Sequence, residues 1–119
     1  PNSPTGMYLE KAEIEKFLHR YNQESIVIVD EAYIDFGGET CAGLVNTHKN
    51  LVVVRTLSKS HSLAGARLGY ALAGYPQVLE ALAHHLAHES HRAAHGAVQL
   101  GADVAAVVDE AADRFLLGH

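Results

Sequence analysis

Two short runs of β-branched residues decide most of what this chain can become. Ser25-Ile26-Val27-Ile28-Val29 and Asn50-Leu51-Val52-Val53-Val54-Arg55 are apolar without alternation, the pattern of strands buried on both faces. Such strands need other structure above and below them, so the runs predict an α/β sheet with helices packed over it. Leu68-Gly69-Tyr70-Ala71-Leu72-Ala73 reads as a third strand, weakened by its glycine. Ahead of the first run, Ile14, Phe17, Leu18 and Tyr21 recur at i, i+3, i+4 and i+7. That spacing predicts an amphipathic helix over 9–21, with Glu10, Lys11, Glu13, Glu15 and Lys16 turned mostly to water. Beyond Pro76 the stretches 77–95 and 102–117 both read as helices, parted by Gly96 and Gly101.

The 119 residues suffice for one hydrophobic core, and 48% apolar against 19% charged residues fits a folded, soluble domain. A formal charge of -5 supplies no basic field to draw nucleic acid or an acidic membrane surface, so neither is an expected partner. Cys41 is the sole cysteine, which rules out an intrachain disulfide and suits a cytoplasmic location. No apolar run reaches the length of a membrane span. The chain opens on the loop Pro1-Asn2-Ser3-Pro4-Thr5-Gly6 without an initiator methionine and is expected to be a piece of a longer protein.

Polar groups gather where the two clearest strands end. Asp30-Glu31-Ala32-Tyr33 follows the first and Thr56-Leu57-Ser58-Lys59 the second. In open α/β sheets, ligands bind at that carboxyl edge. Judged singly, Asp30 reads as a loop cap and Lys59 as a solvated surface lysine. Four strings in order are far more specific: Pro1–Gly6, then Val29-Asp30-Glu31-Ala32-Tyr33-Ile34-Asp35-Phe36, then Arg55–Lys59, then Leu63-Ala64-Gly65-Ala66-Arg67-Leu68-Gly69-Tyr70. This succession resembles the fold-type I aminotransferases that use pyridoxal phosphate (PLP). The Asp-Glu-Ala-Tyr-Ile-Asp-Phe and Thr-Leu-Ser-Lys strings are most similar to the histidinol-phosphate aminotransferases. The resemblance runs from Pro1 to about Ala83.

The resemblance implies a role for each matching residue. Lys59 would hold the cofactor through its amine and move the substrate's α-proton. Asp30 would keep the ring nitrogen protonated, since a neighbouring carboxylate favours the charged form. Tyr33 would bond the phenolic oxygen. Arg67, with a guanidinium suited to paired phosphate bonds, would grip the phosphate with Thr56 and Ser58. For Thr56 and Ser58, turn capping explains the residues nearly as well. For Gly65 and Gly69 the expected roles are a close turn and close packing. The asparagine that bonds the phenolic oxygen usually directly precedes Pro-Thr-Gly. Here Ser3 stands there and Asn2 one earlier, so either Asn2 or Ser3 takes the role.

The expected fold is thus a partial, three-layer-like sheet from the large PLP-binding domain, ending in helices. It divides into a partial binding domain over 1–83 and a divergent His- and Ala-rich tail over 84–119. In the tail, His84, His88, His91 and His95 fall at i, i+4, i+7 and i+11, one helical face. No carboxylate or cysteine completes a metal motif, so no metal is expected. The implied parent is a homodimer of histidine biosynthesis that moves an amino group between histidinol phosphate and 2-oxoglutarate, small amino-acid and 2-oxo-acid substrates. The segment offers no evident arginine for the substrate carboxylate, so alone it is expected to lack turnover. Alternatives are another PLP enzyme (an aromatic aminotransferase or a threonine-phosphate decarboxylase) or a non-catalytic α/β scaffold with a metal- or partner-binding tail.

Overall fold

The computed structural model of the protein describes residues 2, 5–22, 25–66, 68–89, 97–99 and 104–108. Helix α1 spans Lys11–Arg20, within the predicted stretch. Its amphipathic stripe is narrower than the spacing suggests. Ile14 and Leu18 are buried, whereas Phe17 stays half exposed and stacks loosely on Tyr21. The last carbonyls of a helix lack partners of their own. Here a distant residue helps to supply them: Asn50 Nδ2 donates to the carbonyls of Leu18, Tyr21 and Ser25 at 3.3–3.4 Å.

Among the described residues five strands form one sheet: β1 (Val27–Asp30), β2 (Leu51–Thr56), β3 (Leu68–Ala73), β4 (Ala97–Gln99) and β5 (Val104–Val108), in the order β1-β2-β3-β5-β4. Strands β1 and β2 run parallel, with Asp30 opposite Val54, while β2 and β3 run antiparallel, with Arg55 opposite Tyr70. The 31–50 crossover between β1 and β2 carries two 3-10 helices, Ile34–Phe36 and Ala42–Asn46. Helix α2, Pro76–Glu89, follows β3.

Alternation along β2 sorts the core into two layers. Leu51 and Val53 pack with Ile14, Leu18, Cys41 and Val45, beneath α1 and the second 3-10 helix. Val52 and Val54 pack on the opposite face with Ala71, Ala73 and Leu79, beneath α2. The result is a mixed sheet between two layers, as expected. Gly74, just after β3, sits where a Cβ would lie 1.9 Å from the Val45 carbonyl oxygen, so the chain turns there only because the residue has no side chain.

Two expectations are corrected. The first apolar run is not buried on both faces. Val27 and Val29 pack inward, but Ile26 is 55% and Ile28 41% exposed. Among the described residues β1 is an edge with one strand neighbour, and α2 packs over β2 and β3 rather than over it. The second concerns 102–117, read as a helix: its described part, Val104–Val108, is a strand paired with β3. The alanines favour a helix, but the three β-branched valines favour a strand, and pairing with β3 decides between them.

Candidate functional site

Of the predicted site residues, Asp30, Tyr33, Thr56, Ser58 and Lys59 come together at the carboxyl edge of β1 and β2. Asp30 ends β1 and Thr56 ends β2, and alternation turns both toward the face that carries Ile28 and Val54. Asp30 is exposed; its Oδ1 accepts the Ala32 amide at 2.8 Å and so shapes the turn that leads to Tyr33. After Thr56 the chain leaves the sheet in a loop closed on itself. The Leu57 amide donates to the Leu68 carbonyl, Leu63 to Leu57 and Ser62 to Lys59. Ser62 adopts φ 54°, a left-handed conformation uncommon for a residue with a side chain. Lys59 stands exposed in this loop with Nζ 5.6 Å from the centroid of the Tyr33 ring, so the two strand-end segments meet. A second link joins them: Ser60 Oγ donates to Asp35 Oδ2, and His61 Nδ1 lies 2.9 Å from Ser60 Oγ.

Thr56 and Ser58 do cap the turn. Thr56 Oγ1 donates to Ser58 Oγ at 2.9 Å and accepts the Ser58 amide at 3.1 Å. Gly69 lies opposite Thr56, where a Cβ would sit 2.9 Å from the Arg55 carbonyl oxygen, which bears out close packing. A Cβ at Gly65 would meet open space. Asn2 is exposed, with its side-chain amide donating to Thr5 Oγ1 at 3.3 Å. Ser3 and Arg67 lie outside the described residues, as do His91 and His95. Among the described residues no group of three His, Cys, Asp or Glu side chains is arranged to hold a metal ion. No helix among them is long and apolar enough to cross a membrane.

Sequence reasoning missed what lies behind this edge. Glu31 is 6% exposed and forms an ion pair with Arg55. Arg55 Nε and one terminal nitrogen donate to Glu31 Oε2 at 3.0 and 2.8 Å; that nitrogen also donates to Thr40 Oγ1 at 2.7 Å. The other terminal nitrogen donates to the Tyr70 hydroxyl at 3.3 Å. Glu31 Oε1 accepts the Cys41 amide at 2.6 Å. Burial opposes the Arg55 charge, but the bonds to Tyr70 and Glu31 outweigh it and hold its pKa above the ordinary value. Burial, and after it the Glu31 carboxylate, pushes the Cys41 thiol up. The available signal was the order of residues: a carboxylate and a guanidinium each directly beside a predicted site residue.

The edge presents a carboxylate, an aromatic hydroxyl, two aliphatic hydroxyls and an amine on two adjoining segments. That donor set fits PLP, which offers a ring nitrogen, a phenolic oxygen, an aldehyde and a phosphate to bind. The family model for class I and II aminotransferases matches residues 1–114. The chain belongs to that family. It is 56% identical over 82 residues to a histidinol-phosphate aminotransferase of Syntrophus aciditrophicus, covering 69% of this chain and 22% of that protein. It is 60% identical over 82 residues to histidinol-phosphate aminotransferase 1 of Methylococcus capsulatus, with the same two shares. Against the Lactococcus lactis subsp. cremoris protein of that name, identity is 57% over 84 residues, covering 71% of this chain and 22% of the relative. The chain thus spans about a fifth of the length of these curated relatives.

Proposed function

We propose that this chain is the part of an aminotransferase that holds PLP, in a parent enzyme that transfers an amino group between histidinol phosphate and 2-oxoglutarate. The observation that carries the reading is the meeting of Lys59 with Tyr33 at the edge where Asp30 ends β1. Identity of 51–60% to proteins named histidinol-phosphate aminotransferase supports the substrate.

In this reading Lys59 holds the cofactor and carries the α-proton, Asp30 faces the ring nitrogen, and Tyr33 donates to the phenolic oxygen. Thr56, Ser58 and Arg67 hold the phosphate, and Asn2 or Ser3 adds a contact. Bound PLP supplies an electron sink for the substrate's α-carbon. The remaining work belongs to the chain: the carboxylate keeps a positive charge favourable beside it, and the loop presents the amine to solvent. The Arg55 nitrogens are already engaged by Glu31, Thr40 and Tyr70, so this guanidinium does not serve a substrate carboxylate. That group comes from the rest of the parent. A second copy completing the site, a cytoplasmic location and a boundary near residue 83 belong to the same proposal. Curated relatives align over 82–84 residues, close to the length of that first segment.

The test is borohydride reduction after PLP addition, followed by peptide mapping. The chain has four lysines, and the other three lie away from this edge in contacts of their own. Lys11 pairs with Glu39 and Lys16 with Glu13, while Lys49 lies over the Tyr75 ring. The bonds to Glu39 and to Tyr75 raise the pKa values of Lys11 and Lys49, leaving fewer neutral amines there at neutral pH. The label is expected on the peptide bearing Lys59. Label spread evenly over all four would sink the assignment.

A further inference from the structure

Asp30-Glu31 and Arg55-Thr56 are adjacent pairs in sequence, and each sends one side chain to either face of the sheet. Asp30 and Thr56 turn to the face of Ile28 and Val54, which α2 covers over β2 and β3 and which is open beside β1. Glu31 continues the parallel ladder, its amide donating to the Val54 carbonyl at 2.9 Å, and its side chain turns to the covered face with Arg55. There the pair collects contacts from two neighbouring segments: Thr40 and the Cys41 amide from the crossover, and Tyr70 from β3. Among the described residues β1 pairs with β2 alone, so within them the pair is what ties its end to the rest of the sheet.

We propose that the Glu31–Arg55 pair is a positioning element for the open face, fixing the spacing of Asp30 and Thr56 and hence the shape of the cofactor edge. A buried ion pair adds little net stability over apolar residues of like volume, because desolvation offsets the attraction. What it does impose is geometry: one carboxylate meets a rigid two-pronged donor in few arrangements. Each member is joined by a single peptide bond to a residue of the proposed site, so a shift at the pair becomes a shift at the site. The cofactor consequence rests on the proposed function; the geometric one does not.

Two amides report the geometry without any ligand: Ala32, held by Asp30 Oδ1, and Ser58, held by Thr56 Oγ1. In the full chain, the double variant Glu31→Leu/Arg55→Met should keep its melting temperature and the protection of the β2–β3 ladder. Hydrogen exchange at Ala32 and Ser58, followed by NMR, should accelerate about tenfold. Unchanged exchange at both amides, or equal acceleration throughout the sheet, overturns the proposal. Should that variant not fold, Thr40→Val removes the hydroxyl from Arg55 and Glu31 while leaving the ion pair, and about threefold acceleration is expected at the same amides. PLP titration adds the second arm: the dissociation constant should rise about tenfold in the double variant, with an altered visible spectrum. Affinity equal to the native chain's overturns the positioning role. A native chain that takes up no PLP, with the exchange result intact, removes the cofactor reading and leaves the clamp standing.

Discussion

Strands β1 and β2 come from runs of nearly the same composition, yet they live in different surroundings. In β2, Leu51, Val52 and Val53 are essentially inaccessible, held by a strand on each side and a layer on each face. In β1, inward valines alternate with an exposed isoleucine and an exposed aspartate. Burial is therefore conferred by what the strand is placed among, and an apolar run states only that burial is tolerated. The difference also locates chemistry. The covered face of these strand ends holds a closed ion-pair network, while the open face beside β1 leaves Asp30 accessible.

The strongest way to break the comparison is a carboxylate placed in each strand. Val53→Asp puts an unpaired charge among Leu18, Cys41 and Leu51 and is expected to cost about 4 kcal/mol or more, enough to unfold a marginal domain. Ile28→Asp, at a site already open to water, should cost about 1 kcal/mol or less. Urea titrations of both variants check this, and similar losses would erase the distinction between the strands.

A smaller effect sharpens it. Cys41 is 1% exposed behind β2 and its thiol is held protonated, whereas position 28 is open. In an Ile28→Cys chain, a thiol reagent at pH 8 should meet one fast and one slow thiol. The slow one should react at least about 100-fold more slowly, at the rate of local opening. Two fast thiols would mean that the covered layer opens readily.

Much of this was legible in the sequence, for reasons that differ by element. The β-branched runs marked β1 and β2 because local stiffness and burial preference act within a few residues. The ordered motifs brought Asp30, Tyr33, Thr56, Ser58 and Lys59 to one edge, since strand ends carry their flanking residues with them. The Glu31–Arg55 pair was not legible: it depends on which strands pair and in what register, and both residues read locally as ordinary neighbours of the motif. The exposure of Ile28 was hidden likewise, because it depends on where α2 stops. Strand β5 escaped because Val104–Val108 takes its conformation from β3.

The register between the strands also sets a schedule for folding. Thr56 adjoins and Lys59 lies in the 57–67 connection of an antiparallel pair, while Asp30 joins only when the longer 31–50 crossover closes a parallel one. Each doubling of loop length adds roughly 0.6 kcal/mol to closure, and parallel pairing gains slightly less per residue. The β2–β3 pair should therefore form first, with Leu72→Ala giving a larger φ-value than Val29→Ala; the reverse ranking would contradict this order. A chain released partly folded would carry its lysine loop already shaped and its carboxylate still at large.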